Sequence, residues 1–86
     1  MLQREILIKN PTGLHARPAS LLVAQASKSK AKLTILFNNK TINAKSMLSV
    51  LGGGIRKGSQ IVVVAEGEDE QEALDAVCAL IEQFDE

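Results

Sequence analysis

The chain has 86 residues, with ten Lys and Arg against ten Asp and Glu, and it holds one His, one Cys, two Phe and neither Tyr nor Trp. That length makes one domain, residues 1–86, with a modest aliphatic core, which disfavours a self-contained enzyme needing a cofactor pocket beside a substrate domain. The zero net charge hides an asymmetry: residues 1–65 carry every Lys and Arg with only Glu5 against them, and residues 66–86 carry the remaining acids and no base.

Leu2, Ile6 and Ile8 alternate as in a strand, which the turn residues "NPTG" at 10–13 end. A helix then opens at Ala16, with Pro18 in the first turn, where a missing N–H costs little. Ala19, Leu22, Val23 and Ala26 recur at helical spacing and carry it to about Ser27. Leu33, Ile35 and Phe37 alternate with Thr34 and Leu36; Asn38 and Asn39 suit the left-handed conformations of a tight hairpin, and 40–43 returns.

Ser46 is a good N-cap for a short helix, Met47–Leu51, which the glycines at 52–54 stop abruptly. Ile61–Ala65 is an apolar run of strand length. Asp69 and Glu72 have the spacing of a capping box, ahead of a helical stripe of Ala73, Leu74, Val77, Leu80, Ile81 and Phe84. Cys78 follows Leu74 by one helical turn and reads as a small core residue. The order βαββαβα favours an α+β domain, with a mainly antiparallel four-stranded sheet covered on one face by three helices.

If the helix starts at Ala16, His15 is its N-cap, beside the free N–H groups of Ala16 and Arg17 and the positive end of the helix dipole. Arg17 adds a guanidinium able to grip phosphate oxygens in two-pronged fashion, and Pro18 fixes the backbone. A neutral imidazole nitrogen is a competent nucleophile, and phosphoryl transfer needs positioning and charge neutralisation more than elaborate machinery. Taken alone, a histidine at a helix start is usually a capping or surface residue. One His and a distant Cys make no metal ligand set, and no cofactor is expected.

The segments "GLHARPAS" at 13–20, "NAKSML" at 43–48 and "AEGEDEQEAL" at 65–74 resemble HPr, the histidine-containing phosphocarrier family of the bacterial phosphoenolpyruvate-dependent sugar phosphotransferase system. The resemblance spans essentially the whole chain and implies the family's open-faced β-sandwich. It implies that His15 accepts a phosphoryl group from enzyme I and passes it to enzyme IIA domains, with Arg17 on the phosphoryl oxygens. It makes Ser46 a candidate for regulatory phosphorylation by an HPr kinase/phosphorylase, the product serving a catabolite control protein; a serine that merely caps the helix looks the same. Ser20, Met47, Leu48, Leu51 and Arg56 are the expected partner-binding residues. The run "LGGGIRKG" departs from the bulkier apolar stretch of the family and implies a short helix that ends early.

A regulatory paralogue, of the nitrogen-related or catabolite-repression type, is the alternative within the family; the second type lacks the active histidine. A nucleic-acid-binding α+β domain is the alternative outside it, allowed by the basic segment and opposed by the lack of surface aromatics. With neither a signal peptide nor a membrane-spanning apolar run, the cytoplasm is the expected location, without membrane insertion, and a relay is expected to be monomeric.

Overall fold

The computed structural model describes residues 1–86. The elements follow the expected order: β1 (Leu2–Leu7), α1 (Ala16–Ser27), β2 (Lys32–Phe37), β3 (Lys40–Asn43), α2 (Met47–Gly52), β4 (Gln60–Glu66) and α3 (Glu70–Gln83). Strand order is β1-β4-β2-β3, and every neighbouring pair is antiparallel, so no parallel pairing is present at all. Asn38 and Asn39 take φ of 50° and 64°, the left-handed pair that a two-residue hairpin needs to match the twist of its strands.

Alternation along the strands sends Ile6, Leu33, Ile35, Ile42, Ile61, Val63 and Ala65 to one face, where each is at most 7% exposed. Leu22 and Ala26 of α1, Val50 of α2 and Leu74, Val77 and Cys78 of α3 complete that core from the other side. Burial pushes the Cys78 thiol above its ordinary range, as befits a packing residue. The opposite face stays open: cross-strand rows such as Glu5, Val62, Leu36 and Thr41 run over it without a covering layer. No helix is long and apolar enough to cross a membrane.

Two local readings of the sequence are corrected. The capping box at Asp69 does not form: Asp69 precedes α3 but makes no cap bond with its side chain. Its two carboxylate oxygens instead accept the N–H groups of Lys30 and Ala31, at 3.0 and 2.8 Å, joining the start of α3 to the loop that leads into β2. A long-range partner with two aligned donors outcompetes the local one. Glu70 takes the local role, accepting the Gly67 N–H at 3.1 Å.

The short helix also outlasts Leu51, continuing through Gly52 before Gly53 caps it and Gly54, at φ +71°, turns the chain away. Gly53 has a packing reason, since a Cβ there would lie 2.5 Å from the Ile42 Cδ1 atom. Gly52 has none, because nothing lies within 4 Å of an added Cβ. Gly52→Ala therefore stabilises the fold by ~0.5–1 kcal/mol through lower unfolded-state entropy, read as a higher denaturation midpoint at unchanged slope.

Hydrogen bonds from Lys30 and then Ala31 hold the Asp69 carboxyl below the ordinary aspartate range. A carboxylate depressed in the folded state lends stability that is complete above the unfolded value and disappears as pH falls through the folded one. Asp75, depressed by its hydrogen bond with Arg4, follows the same sign. Comparison with Asp69→Asn isolates the first: the variant melts several degrees lower at neutral pH, and the gap narrows as acidification passes below the aspartate range. A gap independent of pH would contradict this.

Candidate functional site

Between β1 and α1 the chain must leave a sheet edge and re-enter as a helix whose first turn faces solvent. Gly13, at φ +62°, makes the bend, and its missing side chain is also required for packing: a Cβ would lie 2.5 Å from the Arg56 Cα and 2.6 Å from the Ile55 carbonyl oxygen. Leu14, 3% exposed, donates its N–H to that Ile55 carbonyl at 3.1 Å. Asn10, also buried, donates its side-chain amide to the Gly13 carbonyl at 2.8 Å. The loop is thus tied internally and to the segment before β4.

His15 is the N-cap residue of α1, with φ −87° and ψ −167°, and its imidazole makes no capping hydrogen bond. It is exposed, as are Ala16 and Arg17, whereas Pro18 and Ala19 are buried beneath them. Ala19 donates its N–H to the His15 carbonyl at 2.8 Å; Ala16 and Arg17 keep unpaired N–H groups, and Pro18 has none. An imidazole free of capping duty therefore stands beside two free backbone donors and the positive end of a helix of 12 residues.

A shallow cleft of about 120 Å³ joins His15, Ala16, Arg17 and Pro18 to Thr12 and Glu86. Glu86 is the residue that sequence reasoning missed. Its carboxylate lies 3.3 Å from the Arg17 guanidinium, and its main-chain oxygen accepts the Thr12 N–H at 2.8 Å. Arg17 and Glu86 stand far apart in the chain and share no recognisable pattern, so only the tertiary fold reveals the pair. Both side chains are substantially exposed, 74% and 46%, so the pair adds little stability and is easily exchanged.

Ser46 caps α2 as expected, accepting the Ser49 N–H at 3.2 Å. α1 and α2 pack against each other, so Ser20 and the exposed Leu48 and Leu51 lie on neighbouring helices, Leu48 being 84% exposed. Leu21, 47% exposed on α1, adds an apolar side chain that periodicity gives no reason to single out. Met47 is half-buried against the core, and Arg56 is exposed beside Gly13. No three His, Cys, Asp or Glu side chains converge as a metal site would require.

Residues 2–83 match the family model for PTS-HPr, the PTS HPr component phosphorylation site. The chain belongs to the HPr family. It is 36% identical over 85 residues to the phosphocarrier protein HPr of Buchnera aphidicola, covering 99% of this chain and all of that one. It is 40% identical over 83 residues to the HPr-like protein Crh of Halalkalibacterium halodurans, covering 96% and 99% of the two chains. The crystal structure of HPr-C-His from Thermoanaerobacter tengcongensis superposes with a TM-score of 0.93 at 45% identity, over 95% of this chain and 92% of that one. The open-faced β-sandwich of HPr proteins is therefore the fold of this chain, and a general phosphocarrier role in the phosphotransferase system goes with the family.

Gly13→Ala tests whether the loop is held as described. The added methyl group meets backbone on two sides at a positive φ, so it costs about 2–3 kcal/mol and shifts the His15 and Ala16 amide resonances more than those of β2 or β3. Wild-type stability with unmoved resonances would refute the anchoring.

Proposed function

We propose that the chain relays phosphoryl groups through His15, taking them from enzyme I and handing them to enzyme IIA domains of sugar transporters. The supporting observation is the exposed, uncapped imidazole beside the free N–H groups of Ala16 and Arg17. A ring nitrogen of neutral His15 attacks phosphorus with its lone pair; an N–P bond forms while the donor's bond to phosphorus breaks, its electrons staying with the donor. Delivery to the acceptor is the same exchange in reverse sense.

Arg17 neutralises the transferred oxygens, exchanging the Glu86 carboxylate for the phosphoryl group as it arrives. The backbone donors of the first turn contribute fixed partial charge, with no reorganisation at the moment of transfer. Ser20, Met47, Leu48, Leu51 and Arg56 form the docking face for successive partners, and the protein works in the cytoplasm as a monomer without catalytic turnover of its own. A second modification, at Ser46, regulates it: phosphate at the start of α2 keeps the Ser49 N–H as a partner but sets about two negative charges beside that face. An HPr kinase/phosphorylase and a catabolite control protein are the partners this implies.

A regulator of the Crh type is the second reading. Overall identity does not separate the two, since the Crh relative is as similar as the HPr relative. The presence of His15 favours the relay, because the catabolite-repression type lacks the active histidine. Intact mass after incubation with phosphoenolpyruvate, Mg²⁺ and a bacterial enzyme I decides. The relay gains one acid-labile phosphoryl group, lost in His15→Ala and slowed roughly ten- to hundredfold in Arg17→Ala. An unmodified wild type that ATP and the kinase still label at Ser46 would make the protein a regulator instead.

A further inference from the structure

The largest concavity of the surface lies away from His15. It is a groove of about 450 Å³ bordered by β2, β3 and the residues around the start of α2. Its charged lining is Lys30, Lys32 and Lys45, with no acid among the lining residues. Thr34 and Thr41 project from the open side of the β2–β3 hairpin, where Thr34 pairs with Asn43, and all three residues border the groove. The volume falls within the range of small-molecule sites.

Several of these groups are already fixed with their donors free. Lys45 donates one ammonium proton to the Ser29 carbonyl at 2.7 Å, which holds the head group in place and leaves two protons for a ligand. The Asn43 side-chain oxygen accepts the Lys45 N–H at 2.9 Å, so its amide NH₂ is left to donate. Ser49 Oγ accepts the Asn43 N–H at 2.9 Å, which leaves its hydroxyl proton available. The neighbouring acids are at the margins: Asp69 gives one oxygen to each of two backbone N–H groups while its charge also acts on Lys45, Glu68 stands 3.8 Å from the Lys30 ammonium in an exposed pair, and Glu66 pairs in register with Lys32.

We propose that this groove binds a small organic phosphate bearing two or more phosphoryl groups. Of the three ammonium groups only Lys30 is in an ion pair, an exposed one that a ligand can displace, so the cluster suits more than one phosphoryl group, and the remaining lining supplies hydroxyl and amide donors suited to phosphate oxygens. A stacked nucleobase has no platform, since neither aromatic residue lines the groove. The site is independent of the relay through His15.

Titration of the ¹⁵N-labelled protein with tripolyphosphate, and with orthophosphate as the singly phosphorylated control, tests it. Tripolyphosphate shifts the amides of Thr34, Thr41, Asn43, Lys45 and Ser49 with one-to-one saturation, and binds at least tenfold more tightly than orthophosphate. Lys32→Gln and Lys45→Gln each weaken it about fivefold, whereas Lys28→Gln and Lys57→Gln, outside the groove, leave it unchanged. Lys28, Lys32 and Lys57 are exposed and Lys45 is half-buried, and unaltered melting confirms that all four variants fold. Equal weakening by all four, or shifts confined to Ala16 and Arg17, would overturn the site. A poly-glutamate peptide moving the same amides more tightly than tripolyphosphate would overturn the small-molecule assignment in favour of an acidic protein partner.

Discussion

The structure depends on one close approach, between the Gly13 backbone and the chain at Ile55 and Arg56. There the loop leaving β1 comes so near that no side chain is tolerated, and the Leu14 N–H reaches the Ile55 carbonyl at 3.1 Å. Because Leu14 is buried on one side of His15 and Pro18 and Ala19 on the other, the imidazole is carried outward on a backbone fixed at both ends. The segment being approached is itself placed by β4, which runs down the middle of the sheet between β1 and β2. A central strand, a glycine contact and a helix start thus form one chain of positioning from core to solvent.

What was legible in the sequence is what local physics decides. Helical spacing from Ala19 to Ala26 marked α1, two asparagines marked the hairpin, and Ser46 marked the cap of α2, each through neighbours within a few positions. What failed was decided at long range. Asp69 looked like half of a capping box because the spacing was right, yet Lys30 and Ala31 offer it two donors that no local partner matches. Glu86 gave no sign of meeting Arg17, since exposed ion pairs leave no periodic trace. The glycine run misled by one residue for a different reason: propensity costs of ~1 kcal/mol are too small to end a helix whose Val50 is anchored in the core.

The charge asymmetry read from the sequence has a spatial counterpart. The basic residues do not form one field: Arg17 borders the His15 cleft and Arg56 adjoins Gly13, while Lys30, Lys32 and Lys45 surround the groove beside the hairpin. The acids of α3 are partly consumed in holding the fold together. Asp75 takes Arg4 at 2.7 Å, tying α3 to β1, and Asp69 takes the loop before β2. Opposite charges thus meet at elements that the topology brings together.

A small protein can serve as a phosphoryl relay because the chemistry asks little of it beyond placement. Two free backbone donors, one guanidinium and one uncapped imidazole are all within the first turn of a single helix. Pro18 contributes by subtraction as well as by rigidity: it has no N–H, so the donors of the turn are concentrated at Ala16 and Arg17, next to the imidazole. In the relay proposed through His15, the exposed Glu86 contact is weak enough for Arg17 to exchange it for an arriving phosphate. Transfer by direct attack needs a partner's nucleophile to reach the phosphorus, which a deeper site would obstruct. The shallow cleft of about 120 Å³ is in keeping with the proposed relay, since it leaves the imidazole open to successive partners.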